Sequence, residues 1–190
     1  ETPIFPVQIF KVKEGVNYNE GDPNYDLFKH AMRCPAKRLF PNFSFLDAPF
    51  NLQYYKEGDY DTEVPYMGCR TRVMGNVHDR THETTCGRGN LSFTSINLPR
   101  IGIEAKGDIK RFYELLDKRI DLVIRQLLHR FQIQCSKKVY NYPFLMGQGV
   151  WLDSDKLGPE DNIAAVLKHG TLSIGFIGLA GTLKAPNGKQ

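Results

Sequence analysis

One stripe of side chains limits what this chain can become. Ile109, Phe112, Leu116, Ile120, Val123, Leu127 and Phe131 advance by 3, 4, 4, 3, 4 and 4 residues. That is the period of an α-helix, so the run from Asp108 to about Gln134 predicts one long helix with a single apolar face. Asp108, just after Gly107, supplies an oxygen where a helix N-cap wants one. Such a helix must lay its stripe on another element. Asn90 to Leu98, rich in β-branched and apolar residues and stopped by Pro99, predicts a strand. Thr171 to Leu179 is apolar almost without a break, the pattern of a strand buried on both faces. Ile4 to Val12 predicts a further strand, with Pro6 at its start or on an edge. Asp22-Pro23 opens a helix in which Tyr25, Phe28, Met32, Ala36 and Leu39 share a face, with Pro35 expected to kink or end it. Phe43 to Leu52 reads as a short strand or packed loop, and Phe144 to Leu152 as a short strand. Pro159 to Lys168 reads as a short helix between Gly158 and Gly170. Gly58 and four acids without period make Tyr54 to Val64 a surface loop. Strands and helices alternate, so the fold class is α/β.

Composition narrows the function classes. Hydrophobic residues make up 41% of the 190, which excludes a disordered tail or a fibrous repeat. The net charge of +4 is spread along the chain, so it gives no patch for nucleic acid but permits anionic small molecules. The longest apolar stretch, Thr171 to Ala180, is too short and too rich in glycine to span a membrane. No segment has the order of a signal peptide. Cys34, Cys69, Cys86 and Cys135 include no close pair, which is thin for a disulfide framework and favours a reducing, cytoplasmic setting. The chain starts at Glu1 inside a strand pattern and stops just after an apolar run, so we expect a segment of a longer protein.

The residues with chemical potential cluster in the longest irregular stretch, Tyr66 to Gly89, and at its exit. Long loops inside compact domains are uncommon and often functional. Cys69 lies between Gly68 and Arg70. An adjacent cation lowers a thiol pKa and favours ionic chemistry, whereas a radical thiol needs shelter; the plain alternative is a small residue filling a gap. His78, His82 and Cys86 are spaced by four, as zinc ligands on one helix face would be. The residues between them carry no apolar stripe, which favours a solvated loop. Gly87-Arg88-Gly89-Asn90 precedes a strand, the wrong order for a strand–loop–helix phosphate cradle. Asn90 there can donate to and accept from sugar hydroxyls, or merely bond its own backbone in a turn. His169 ends a short helix, where bonding to the last carbonyls is the ordinary role. Trp151 packs. The chain has no Ser-His-Asp order, HExxH, Walker A or GxGxxG.

Several blocks, taken together, are more specific. Tyr66-Met67-Gly68-Cys69-Arg70-Thr71-Arg72-Val73 is followed by Gly87-Arg88-Gly89-Asn90-Leu91-Ser92-Phe93-Thr94-Ser95-Ile96-Asn97-Leu98-Pro99-Arg100. Next come Gln126-Leu127-Leu128-His129-Arg130, Phe144-Leu145-Met146-Gly147-Gln148-Gly149 and Leu167-Lys168-His169-Gly170-Thr171-Leu172-Ser173-Ile174-Gly175-Phe176-Ile177-Gly178-Leu179-Ala180. Upstream stands Pro41-Asn42-Phe43-Ser44-Phe45-Leu46-Asp47. In this order, over nearly the whole chain, they resemble the anaerobic, glycyl-radical ribonucleoside-triphosphate reductase family.

The resemblance implies a ten-stranded α/β barrel made of two half-barrels. Residues 1–190 would be a half-barrel segment of it, with a finger loop at 66–89. It implies Cys69 at the finger tip as the thiyl residue that takes the ribose 3′ hydrogen. It implies Asn90 on the ribose hydroxyls and Met67 packing in the same substrate site. The ATP-cone, the zinc site and the glycyl-radical domain would lie outside this chain, so no cofactor is expected within it. The parent enzyme would use a glycyl radical and a structural zinc, be activated by an iron–sulfur S-adenosylmethionine enzyme, and form a homodimer. Its substrates would be ribonucleoside triphosphates, reduced for DNA synthesis with formate or a dithiol protein as reductant. Residues 75–86, Cys34-Pro35 and Gly181 depart from the family pattern. The alternatives are a zinc-stabilised binding module using His78, His82 and Cys86, and a thiol-nucleophile enzyme at Cys69.

Overall fold

The computed structural model describes residues 6–68, 71–81 and 83–184. The chain forms two compact units, Glu1–Gly87 and Arg88–Gln190.

In the first unit, β1 (Ile9–Val12) and β2 (Asn42–Phe45) run parallel in the register Ile9↔Asn42 to Val12↔Phe45. Parallel neighbours need a crossover, and two helices provide it: α1 (Tyr25–Arg33) and α2 (Pro35–Arg38). Phe28 on α1 packs edge-on to Phe43 of β2, ring centroids 6.0 Å apart, and Phe10 of β1 lies 5.9 Å from Phe43. The helix starts later than Asp22-Pro23 suggests. The Asp22 carboxylate instead accepts the backbone N–H groups of Tyr18 and Asn19, at 2.9 and 2.8 Å. Pro35 does end α1, because a proline has no N–H to continue the ladder. The face extrapolated across it does not form. The buried side of α1 is centred on Phe28 and Ala31, leaving Met32 43% and Leu39 80% exposed. Phe43 to Leu52 resolves into β2 and a single turn, α3 (Pro49–Leu52). The loop that follows is not all surface: Thr62 and Val64 are buried beside a 3-10 turn at Tyr60–Thr62.

In the second unit, β5 (Asn90–Asn97) and β6 (Thr171–Ile177) pair in parallel, Phe93↔Ser173 to Asn97↔Ile177 beyond an irregularity near Leu91. The two short strands before them, β3 (Tyr66–Met67) and β4 (Thr71–Arg72), belong to the first unit. Pro99 ends β5 by opening a helix that the sequence did not predict, α4 (Leu98–Ala105), in whose first turn it sits. Asn97 Oδ1 accepts the Arg100 N–H at 3.2 Å and caps it. The long helix is α5 (Ile109–Cys135), with Asp108 Oδ1 accepting from Lys110 N at 2.9 Å and Arg111 N at 3.1 Å. Its stripe delivers Val123 and Leu127 to a core with Ile96, Leu98 and Ile101, flanked by Phe112, Leu116, Ile120 and Leu172.

A second core gathers Val139, Met146, Trp151, Ile163, Val166 and Leu167. It forms where a strand was expected at 144–152. That segment turns back on itself instead, with Met146 N bonded to Tyr142 O at 2.9 Å and Trp151 N to Leu145 O at 2.8 Å. Gly149, at φ +68°, allows the reversal. The helix expected at Pro159–Lys168 shortens to α6 (Ala164–Leu167). The carbonyls of Pro159 and Asp161 are taken by Tyr140 N and Val139 N, each at 3.0 Å, so they are lost to a helix. After β6, α7 (Leu179–Lys184) follows Gly178. A Cβ at Gly178 would lie 2.3 Å from Pro99 Cγ, so the close approach to α4 requires glycine there.

The fold class is therefore mixed helix and strand, as expected. The described residues form three two-stranded sheets and no closed barrel. The double burial expected of β6 is not found: Phe176 is 61% exposed and Ile174 and Ile177 are also open, because α5 packs mainly over β5 and the sheet has only two strands. No helix among the described residues is long and apolar enough to cross a membrane.

Candidate active site

Within the stretch 66–89 the chain makes one small hairpin, β3 (Tyr66–Met67) against β4 (Thr71–Arg72), paired Tyr66↔Arg72 and Met67↔Thr71. Gly68, just after β3, takes φ +52°, a conformation that favours glycine. Side chains fasten the base of the hairpin. Tyr66 OH shares a 2.9 Å hydrogen bond with Ser44 Oγ, buried on β2. Arg72 Nη1 donates to Asn51 Oδ1 at 2.9 Å, and its guanidinium lies 4.8 Å from the Phe50 ring centroid. Val73 N closes onto Pro65 O at 3.0 Å. The returning strand of the loop is pinned at Thr85, whose N and Oγ1 both donate to Asp61 O at 2.8 Å, with Glu63 O a second acceptor of Oγ1 at 2.9 Å. Met67 is half-buried on β3. Cys69 and Arg70 lie outside the described residues.

The zinc alternative gains no support. His78 and Cys86 are both exposed, and His82 lies outside the described residues. Among the described residues no three His, Cys, Asp or Glu side chains gather as a metal site would need.

In the second unit the polar side chains converge where β5 and β6 begin. Asn90 Oδ1 accepts a hydrogen bond from Thr171 Oγ1, and Ser173 Oγ reaches the same oxygen at 3.5 Å. Other contacts fix which face this is. Thr94 Oγ1 bonds Gln126 Oε1 at 3.0 Å and Arg130 Nη1 donates to Ser92 Oγ at 3.1 Å, so Ser92 and Thr94 face α5. Alternation then turns Phe93, Ser95, Ser173 and Gly175 to the opposite face, and the Asn90 carboxamide stands over Ser173 there. Asn90 thus bonds across the strand pair, not to its own turn.

The segment leading into β6 is held from behind. His169 is 5% exposed, and its Nε2 lies 3.2 Å from Asp153 Oδ2. Its carbonyl accepts Arg88 Nε at 3.0 Å. Lys156, hydrogen-bonded at 2.6 Å, holds the Asp153 carboxyl below the usual carboxylate range, and His169 adds to this. Burial lowers the pKa of Arg88. Thr171 N donates to Gly89 O at 3.0 Å. His169 therefore tethers two segments through both its ring and its carbonyl, which the plain helix-end reading missed.

The family described as "Anaerobic ribonucleoside-triphosphate reductase" matches residues 1–190, the whole chain. The chain belongs to this family. A Haemophilus influenzae protein named anaerobic ribonucleoside-triphosphate reductase is 34% identical over 187 residues, 97% of this chain and 25% of that protein. The Escherichia coli protein of the same name is 33% identical over the same shares. That of Enterobacteria phage T4 is 32% identical over 94% of this chain and 29% of its own length. The chain thus spans about a quarter of the length of its bacterial relatives.

For this reductase-family chain, the sequence-predicted residues fall in both units: Met67 on the hairpin of the first, Asn90 at the start of β5 in the second. Thr171, Ser173 and the Arg88–His169–Asp153 tether were not singled out from sequence. Their one signal is the string His169-Gly170-Thr171-Leu172-Ser173, where hydroxyls alternate with apolar residues at the head of a strand.

Proposed function

We propose that this chain carries part of the substrate-reducing core of an anaerobic ribonucleoside-triphosphate reductase, with Cys69 as the hydrogen-abstracting thiol and Asn90 as a ribose contact. The observation that carries this reading is the match of the family to residues 1–190 end to end. The hairpin at 66–72 and the polar group at Asn90 support it, since each puts a family residue on a defined element. On this reading β5, β6 and α5 contribute to a ten-stranded barrel, and residues 66–89 form its finger.

The chemistry needs an atom that can give and take hydrogen cheaply. A glycyl radical, when present, supplies the acceptor for the hydrogen of the Cys69 thiol. The sulfur, now a thiyl, takes the ribose 3′ hydrogen: an S–H bond forms as the C3′–H bond breaks. Asn90 orients the ribose hydroxyls through a carboxamide that hydrogen-bonds without ionising. The 2′ hydroxyl leaves as water with the proton of the 3′ hydroxyl, which leaves a 3′ ketone and the radical at C2′. Two electrons and two protons then enter, the electrons from a reductant of the formate or dithiol class and the protons from that reductant and solvent. Cys69 finally returns its hydrogen to C3′. Met67 packs in the same active-site loop, in a site that must exclude water. The radical activase, a structural zinc, a homodimeric parent and a cytoplasmic setting belong to the same proposal.

The test is anaerobic deoxynucleotide formation by the complete reductase polypeptide bearing this segment, with the glycyl radical quantified by electron paramagnetic resonance. We expect turnover with ribonucleoside triphosphates, and none from residues 1–190 alone. Turnover by the isolated chain, or a radical-loaded enzyme that leaves ribonucleotides untouched, would sink the reading.

A further inference from the structure

The carboxamide of Asn90 has one acceptor oxygen at one end and two N–H donors at the other. Which end meets a ligand decides what Asn90 does. Here the oxygen is already engaged by two hydroxyls from β6, Thr171 Oγ1 and Ser173 Oγ. With Oδ1 held by these two hydroxyls, the two Nδ2 donors are the end of the carboxamide left to meet a ligand.

We infer that Thr171 is a positioning residue: its hydroxyl fixes the Asn90 carboxamide so that Nδ2 donates to a hydroxyl of the ligand. Resting on the reading of Asn90 as a ribose contact, this makes Asn90 a donor to the lone pairs of a ribose hydroxyl. Such a contact engages an oxygen lone pair and leaves the hydroxyl's own proton in place.

The Thr171 hydroxyl is itself well placed to hold an orientation. Its backbone N–H is bonded to Gly89 O at 3.0 Å. Two residues earlier, buried His169 is fixed by Asp153 through its ring and by Arg88 through its carbonyl. Between them, a Cβ on Gly170 would lie 2.5 Å from Leu91 Cγ, so this approach of the two strand heads needs glycine. Asn90 and Thr171 are thus brought together by pinned backbone, and Thr171 gives its hydrogen to one defined acceptor. A cross-strand pair of this kind can also serve the sheet alone. The experiment separates the two roles.

In the complete reductase, Thr171→Val keeps the shape and removes the hydroxyl, and Thr171→Ser keeps the hydroxyl. We expect Thr171→Val to lower kcat/KM for a ribonucleoside triphosphate by about tenfold, the worth of one oriented hydrogen bond. The Kd for that nucleotide, measured on enzyme without the radical, should weaken by a similar factor. Thr171→Ser should restore both. In an Asn90→Ala background Thr171→Val should cost nothing further. If it costs the same factor there as in the wild type, the hydroxyl does not act through Asn90, and the inference falls while the ribose contact stands. If Asn90→Ala leaves binding and turnover unchanged, the ribose contact itself falls. Should Thr171→Val not fold, Thr171→Ala, which also removes the hydroxyl, runs the same comparison against Asn90→Ala.

Discussion

Met67 rides on a strand of two residues, and Asn90 on one of eight. The hairpin that carries Met67 has almost no ladder of its own. It is placed by a few side chains at its base: Tyr66 on Ser44, Arg72 on Asn51 and Phe50, Thr85 on Asp61 and Glu63. Asn90 sits at the end of a parallel ladder backed by a 27-residue helix, and its side chain is oriented by two hydroxyls of the neighbouring strand. The first device fastens a short hairpin by its base. The second holds a polar group in fixed register on a sheet face. On the proposed function, the first region carries the reacting thiol and the second a ribose contact.

The comparison breaks most visibly at the tip. Cys69→Ser in the complete reductase should abolish turnover while nucleotide still binds, because an O–H bond is too strong to give its hydrogen and each 1.4 kcal/mol of added barrier costs about tenfold. Cys34→Ser, Cys86→Ser and Cys135→Ser should keep most activity, and anaerobic deoxynucleotide assays on the four variants read this. Asn90→Ala comes next. Removing an oriented donor costs about a hundredfold in kcat, and the measurement is steady-state turnover with substrate saturating.

Arg72→Ala sharpens the contrast between the two devices. It removes a guanidinium bonded to Asn51 Oδ1 and stacked on Phe50, so the hairpin base loses about 1–2 kcal/mol of fixing. Turnover should fall by about tenfold, with the melting temperature of the enzyme nearly unchanged, because β5 and β6 do not depend on that anchor. An equal loss from Thr94→Val, which frees Gln126 on the helix side of the ladder, would show that the two regions are not held differently. Asp108→Ala is the smallest effect. It deletes the cap that accepts from Lys110 N and Arg111 N and should cost about 1 kcal/mol of stability, seen as a lower denaturation midpoint with kcat unchanged.

The parts of this molecule that could be read from the sequence were those fixed by period. The stripe from Phe112 to Phe131 follows from the spacing of apolar residues, with Ile109 left exposed at its head; the cap at Asp108 follows from its residue type, and β5 and β6 from their β-branched and apolar runs. What could not be read depended on partners distant in sequence. Phe144 to Leu152 has the apolar content of a strand, yet it turns to bring Met146 and Trp151 into a core completed by Ile163 and Val166. Pro159 and Asp161 look like a helix start, yet their carbonyls serve Tyr140 and Val139. Pro99 stopped the strand as expected, but the same residue opened α4, since proline suits a first helical turn. Asn90 was legible as a polar residue at a strand head. Its partners Thr171 and Ser173 were not, because parallel register across some eighty residues decides them and local pattern does not.

The central claim is that a thiyl radical at Cys69 cleaves the ribose C3′–H bond, and isotope labelling at that carbon tests it most directly. In a single turnover of the complete enzyme, substrate deuterated at C3′ should react more slowly than unlabelled substrate, and Cys69→Ser should cleave no C3′–D bond at all. Equal single-turnover rates, or C3′–D cleavage by Cys69→Ser, would contradict the account.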